Sequence, residues 1–121
     1  SEAGHARAQS LARLLAGTPV DAVYATSYKR TRQTARPTAA ARSLAVTTYD
    51  AKLPAAKFVA QLRAAHAEGA VLVVGHSNTV PEIVSALSGQ SVEAMPETAF
   101  DRLYRVSIDS TGAATLVQER Y

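Results

Sequence analysis

The chain has 121 residues, 47% of them hydrophobic, with a formal net charge of +3 and no cysteine. That length suits one hydrophobic core, so a single domain spanning 1–121 is expected, and the missing cysteine excludes disulfides, thiolate zinc sites and thiol nucleophiles. No apolar run approaches membrane-spanning length and the first residues lack a signal-peptide pattern, so the chain reads as soluble: cytoplasmic, or exported if a signal peptide precedes Ser1.

The positive charge is concentrated. Lys29, Arg30, Arg32, Arg36 and Arg42 lie close together, a cluster suited to phosphate groups on a small molecule or on nucleic acid. Aromatic residues are few and not interleaved with the basic ones, which argues against a single-strand stacking platform. Arg32, Arg36 and Arg42 read as a solvated helix face. Neither nucleic acid nor a membrane is expected as a partner.

In chain order, Ser1 caps a predicted helix through about Ala16, with Leu11, Leu14 and Leu15 as its apolar stripe and Gly17 as its stop. Pro19 breaks the pattern. Asp21 to Ala25 reads as a short buried strand, and Thr26-Ser27 as the start of a helix from Tyr28 to about Ser43. Pro37 inside that segment predicts a kink or a split into two helices. Ala45 to Thr48 is a short strand, Tyr49 to Lys52 a loop, and Pro54 opens a helix that carries Phe58, Val59 and Leu62 on one face and ends near Gly69.

The stretch Val71 to Val74, stopped by Gly75 and followed by His76-Ser77-Asn78-Thr79-Val80-Pro81, reads as a strand buried on both faces that turns tightly into a helix. His76 then falls just past the strand end, beside the free N–H groups of the new helix. That helix runs to Leu87 and ends at Ser88-Gly89. After a polar loop, Gln90 to Ala99, the runs Arg102 to Ile108 and Ala114 to Gln118 form a hairpin around Asp109-Ser110-Thr111-Gly112.

Alternating helices and strands predict an α/β fold: a mainly parallel sheet flanked by helices, closed by a C-terminal antiparallel hairpin. If the strands ending at Ala25 and Gly75 are parallel, Arg30 and His76 lie on one edge of the sheet. A guanidinium donates to phosphate or carboxylate oxygens in a planar fork, and an imidazole beside it adds a donor or moves a proton. Together they suggest an oxyanion site.

Other chemistries fit less well. Gly75-His76-Ser77 mimics a nucleophile elbow, but Thr79 stands where that turn wants glycine, and His5 and His66 both precede Ser77. Ser77 is therefore not expected to be a nucleophile. The glycine spacing and lysine of a P-loop are absent, and the three histidines lack metal-binding spacing, so neither metal nor cofactor is expected.

Three stretches resemble motifs of the histidine phosphatase superfamily, the phosphoglycerate mutase-like fold. Gly4 with Ala8-Gln9 is similar to its leucine-(Ser/Thr)-x-x-Gly-x-x-Gln-Ala helix start. Tyr24-Ala25-Thr26-Ser27-Tyr28-Lys29-Arg30-Thr31-Arg32-Gln33-Thr34-Ala35 resembles its Ser-x-x-x-Arg-(Thr/Ala)-x-Gln-Thr-Ala block, and Val73 to Asn78 its second-histidine block. The resemblance implies hydrolysis of a small phosphomonoester through a phosphohistidine. Arg30 and His76 are then catalytic and bind the transferred phosphate, joined by Ser77 as a phosphate-binding candidate.

The family's nucleophile belongs to an Arg-His-Gly or Arg-His-Ala strand end, and the short Arg-His-Ala branch is the nearer likeness. No Arg-His pair occurs here, and His5 reads as a surface helix residue. The resemblance therefore implies a domain incomplete at its N-terminus, with the first strand missing and the nucleophilic histidine upstream of Ser1. It also implies an acid between the two blocks as proton donor, for which Asp50 is the candidate by position. Glu82, Asp101 and Arg102 are expected to be structural, the last two paired with each other or with the site. A module of the same fold that binds a phosphorylated ligand without turning it over is the alternative.

Overall fold

The computed structural model describes residues 1–121 and runs α1 (Glu2–Leu14), β1 (Val20–Ala25), α2 (Lys29–Ala41), β2 (Val46–Thr48), α3 (Ala55–Ala65), β3 (Ala70–Val74), α4 (Val80–Ser88), β4 (Arg102–Ile108) and β5 (Ala114–Arg120). The first three strands form a parallel sheet in the order β2-β1-β3, and β4 and β5 pair antiparallel as a separate ribbon. The α/β architecture expected from the alternation of elements is the one observed. No helix is long and apolar enough to cross a membrane.

The pleat of β1 sorts the core into two halves, because successive side chains leave a strand on opposite faces. Val23 and Ala25 pack with Leu72 of β3, Leu11 and Leu15 from α1 and its C-cap, and Ala35 and Ala39 of α2. On the other face, Tyr24, Val71 and Val73 meet Phe58, Val59 and Leu62 of α3 and Ile83 of α4. Tyr24 also binds the end of α3, its hydroxyl 2.7 Å from His66 Nε2.

Several local expectations are corrected. Only Leu72 of β3 is buried, whereas burial of the whole strand on both faces was expected; β3 pairs with β1 alone and lies at a sheet edge. Of the two outcomes expected at Pro37, a kink or a split, the split does not occur: α2 is one helix across it. Proline removes a single i→i−4 bond, while Thr31, Ala35, Thr38 and Ala39 stay buried along the helix and hold it together. α1 is capped by the Ser1 hydroxyl, which accepts from Gly4 N, but it ends at Leu14 with Leu15 as C-cap, short of Gly17. Arg42 is half-buried instead of fully solvated, since its guanidinium donates to the Leu15 carbonyl and ties the end of α2 to the end of α1. Asp101 faces Arg120 at 3.8 Å instead of Arg102.

Gly75 marks a close approach beyond β3. Tyr49 leaves β2, stacks its ring on Phe58 with centroids 4.2 Å apart, and donates its hydroxyl to the Val74 carbonyl at 3.3 Å. Burial pushes the phenol up to about 12, so it remains a neutral donor. A Cβ on residue 75 would lie 2.7 Å from that hydroxyl, 3.1 Å from Thr79 Oγ1 and 3.2 Å from Val80 Cγ2. Gly75→Ala is therefore expected to destabilise the protein by about 1–3 kcal/mol, measured by urea unfolding. Part of that loss should return in the Gly75→Ala, Tyr49→Phe double variant; strictly additive effects would contradict the clash.

Candidate active site

β1 and β3 run parallel with Ala25 opposite Val74, so the connections that follow them start level, at the carboxyl edge of the sheet. The first connection carries Thr26 and Tyr28 and leads into the first turn of α2 with Arg30; the second carries His76. The structure brings these side chains together. His76 Nε2 lies 2.9 Å from Thr26 Oγ1, and His76 Nδ1 lies 3.4 Å from Arg30 Nη2. The Tyr28 ring meets the imidazole edge-on with centroids 4.8 Å apart, and the Arg30 guanidinium lies over the same phenol ring at 5.5 Å.

The backbone under His76 is closed on itself. His76 N donates to Thr79 Oγ1 at 3.1 Å, and the N–H groups of Thr79 and Val80 both donate to the His76 carbonyl, at 3.0 Å and 2.9 Å. The expectation of free helix N–H groups beside His76 is corrected for these two, which are spent on the turn that fixes the residue. Ser77 follows on this turn, half-buried.

Thr26-Ser27 lead into α2 as expected, but neither caps it; Tyr28 occupies the cap position and makes no side-chain cap bond. The Thr26 hydroxyl is fully buried and meets Thr31 Oγ1 at 2.7 Å, and Thr31 Oγ1 also lies 2.8 Å from the Tyr28 carbonyl. Neither threonine was foreseen as part of the site. Their signal lay in the arginine block itself, which places a hydroxyl residue four positions before Arg30 and another directly after it.

Asp50 sits on the exposed loop after β2, where its carboxylate accepts from Lys52 N at 2.8 Å. Together with Tyr28, Tyr49 and Lys52 it lines a cleft of about 380 Å³. Tyr28 belongs both to this cleft and to the surroundings of His76, so the cleft adjoins the Arg30–His76 pair. His5 is exposed on α1 and Glu82 is exposed in the first turn of α4, and neither takes part in the hydrogen bonds described above. No group of three or more His, Asp or Glu side chains comes together to hold a metal.

Burial, followed by the neighbouring Arg30 charge, pulls His76 below its ordinary value of 6.5, because both disfavour the imidazolium. As pH falls, the unfolded chain takes up this proton first. Stability contributed by neutral His76 is thus complete above the ordinary value and is lost as pH falls toward the folded one. An NMR titration of His76 is expected to give a midpoint below 6.5, and Arg30→Ala should raise it only part of the way, since burial is the larger cause. An unchanged midpoint in that variant would remove the electrostatic coupling.

Residues 1–53 match the family model of the histidine phosphatase superfamily (branch 1). No curated protein matches the chain. The match takes in the arginine block with Thr26, Arg30 and Thr31, together with Asp50, and stops before His76, so the first 53 residues of the chain are similar to the histidine phosphatase superfamily (branch 1).

Proposed function

We propose that this chain is part of a phosphatase that hydrolyses a small phosphomonoester through a phosphohistidine, with Arg30 and His76 holding the transferred phosphoryl group. The match of residues 1–53 to the superfamily model supports a role in phosphoryl transfer. The observation that carries the finer reading is the Arg30–His76 pair, whose donor and acceptor atoms are 3.4 Å apart at the carboxyl edge of the sheet. Phosphoryl transfer asks little of a protein beyond positioning and neutralising charge on the equatorial oxygens. An exposed guanidinium beside an imidazole meets that need.

In this reading the nucleophilic histidine precedes Ser1 on a strand of its own. Its nitrogen bonds to phosphorus as the ester P–O bond breaks, and Asp50 gives the leaving oxygen its proton; water then takes the phosphoryl group from the nitrogen. Ser77, next to His76, is a further phosphate contact. The reading is consistent with β3 pairing along one edge only and with Arg102 Nε, which is buried and makes no hydrogen bond. An added strand beside β3 would bury the half-exposed Val71, Val73 and Val74 as parallel strands require.

The absence of an Arg-His pair from the sequence favours a second reading, a module that binds a phosphorylated ligand without turnover. Both are tested by comparing residues 1–121 with a version that includes the native upstream segment. The longer form is expected to unfold cooperatively at higher temperature and to hydrolyse a generic phosphomonoester. Arg30→Ala or His76→Ala in it should lower kcat by roughly 10²–10³, the usual cost of one oxyanion donor. Equal thermal stability and no gain of activity would leave the binding module as the better account. Ser77 should stay unlabelled by a fluorophosphonate; stoichiometric labelling would point to a serine hydrolase instead.

A further inference from the structure

The hydrogen bonds around His76 admit one consistent order of protons. Arg30 Nη2 has only protons to give, so His76 Nδ1, which faces it at 3.4 Å, presents its lone pair. The proton of the neutral ring then sits on Nε2 and is donated to Thr26 Oγ1 at 2.9 Å. Thr26 passes its own hydroxyl proton to Thr31 Oγ1 at 2.7 Å, and Thr31 donates to the Tyr28 carbonyl at 2.8 Å. The Thr26 carbonyl, 3.1 Å from Thr31 Oγ1, offers the same proton a second acceptor.

Each donor in this chain is used once and each acceptor is filled. The opposite order fails at its outer end. Were Thr26 to donate to Nε2, the ring proton would move to Nδ1 and point at a guanidinium N–H, with no acceptor between them. Thr26 is fully buried and Thr31 is 3% exposed, so water does not readily replace either hydroxyl.

We propose that Thr26 and Thr31 are positioning residues, a buried hydroxyl chain anchored on the Tyr28 carbonyl that holds His76 in its Nε2–H tautomer and turns Nδ1 toward Arg30. The role of the chain in catalysis rests on the phosphate site proposed above. With Nε2 committed to Thr26, Nδ1 is the nitrogen that faces an oxyanion held by Arg30. An anion there draws a proton from solvent onto Nδ1, while the Nε2–H bond to Thr26 persists. Arg30 and Tyr28 are the charged and titratable side chains against the ring, and the neutral Tyr49 hydroxyl lies below Gly75.

The test is the ring ¹⁵N shifts of His76 in the intact, histidine-labelled protein, recorded above its titration range and without phosphate. Wild type is expected to show a protonated Nε2 and a lone-pair Nδ1, and Thr26→Ser, which keeps the hydroxyl, to show the same. Thr26→Val, which keeps the shape and removes the hydroxyl, should give averaged tautomers. Thr31→Val should free the Thr26 proton for Nε2 and shift the balance toward Nδ1–H, which provides a second readout if Thr26→Val does not fold. A wild-type Nδ1–H ring, or a tautomer insensitive to both valine variants, would overturn the proposal. Added inorganic phosphate separates the two ideas: a Thr26-dependent tautomer with no response to phosphate supports the hydroxyl chain and defeats the phosphate site. A phosphate response with a Thr26-independent tautomer does the reverse.

Discussion

The site depends on the level pairing of β1 and β3. With Ala25 opposite Val74, the backbone releases Thr26 and Gly75 at the same height, and one further residue places His76 against Thr26. A slip of one residue would displace one strand end by about 3.3 Å and turn every side chain to the other face. A contact of 2.9 Å between Thr26 and His76 leaves no slack for that. The register is defended by the core on both faces: Val23, Ala25 and Leu72 are locked into one cluster, while Tyr24, Val71 and Val73 pack against the other.

The two faces contribute differently. On the side of α2 the contacts are small: Ala25 and Ala35 are fully buried and Ala39 is nearly so. Small side chains let a helix lie close to a sheet, which brings its first turn, with Arg30, over the strand ends. The opposite face is aromatic. Tyr24 meets Phe58 edge-on at 6.1 Å and Tyr49 stacks on Phe58, so the segment after β2 is held by large, stiff rings. One face thus sets the closeness of Arg30, and the other fixes the loop that carries Asp50.

Regular patterns were legible in the sequence because they arise locally. The alternation in β4 and β5, the Ser1 cap and the αL residue Gly89 that ends α4 each follow from a few neighbouring residues. The meeting of Arg30 with His76 was also legible, because parallel strands put their following loops on one edge. What escaped reading depends on partners distant in sequence. An apolar run such as Ala70 to Val74 looks alike at the centre and at the edge of a sheet, and only the strand order β2-β1-β3 distinguishes them. Thr26 read as part of a helix entry because Thr commonly stands there; its hydroxyl instead answers His76, fifty positions away. Gly75 read as a turn residue, whereas the tight constraint is the Tyr49 hydroxyl crossing beneath it. Pro37 read as a kink or a break because its local cost is plain and the buried stripe that offsets it is not.

Charge at the site is left unbalanced by the protein itself. The ion pairs of this fold are Arg105 with Glu119 and Arg120 with Asp101, both on or beside the β4–β5 ribbon, and Arg30 belongs to neither. Being exposed, Arg30 keeps its hydration, so leaving it without a carboxylate costs little. The Tyr28 ring orients it through a contact worth about 0.5–1 kcal/mol at exposed sites, without cancelling its charge. A protonated His76 beside it would set two cations close together, a repulsion that adds to the larger cost of burying the charged ring. The ring therefore stays neutral and turns a lone pair toward the guanidinium. A negative charge placed against both groups would reverse that preference, which is what the proposed phosphate contact of Arg30 and His76 requires.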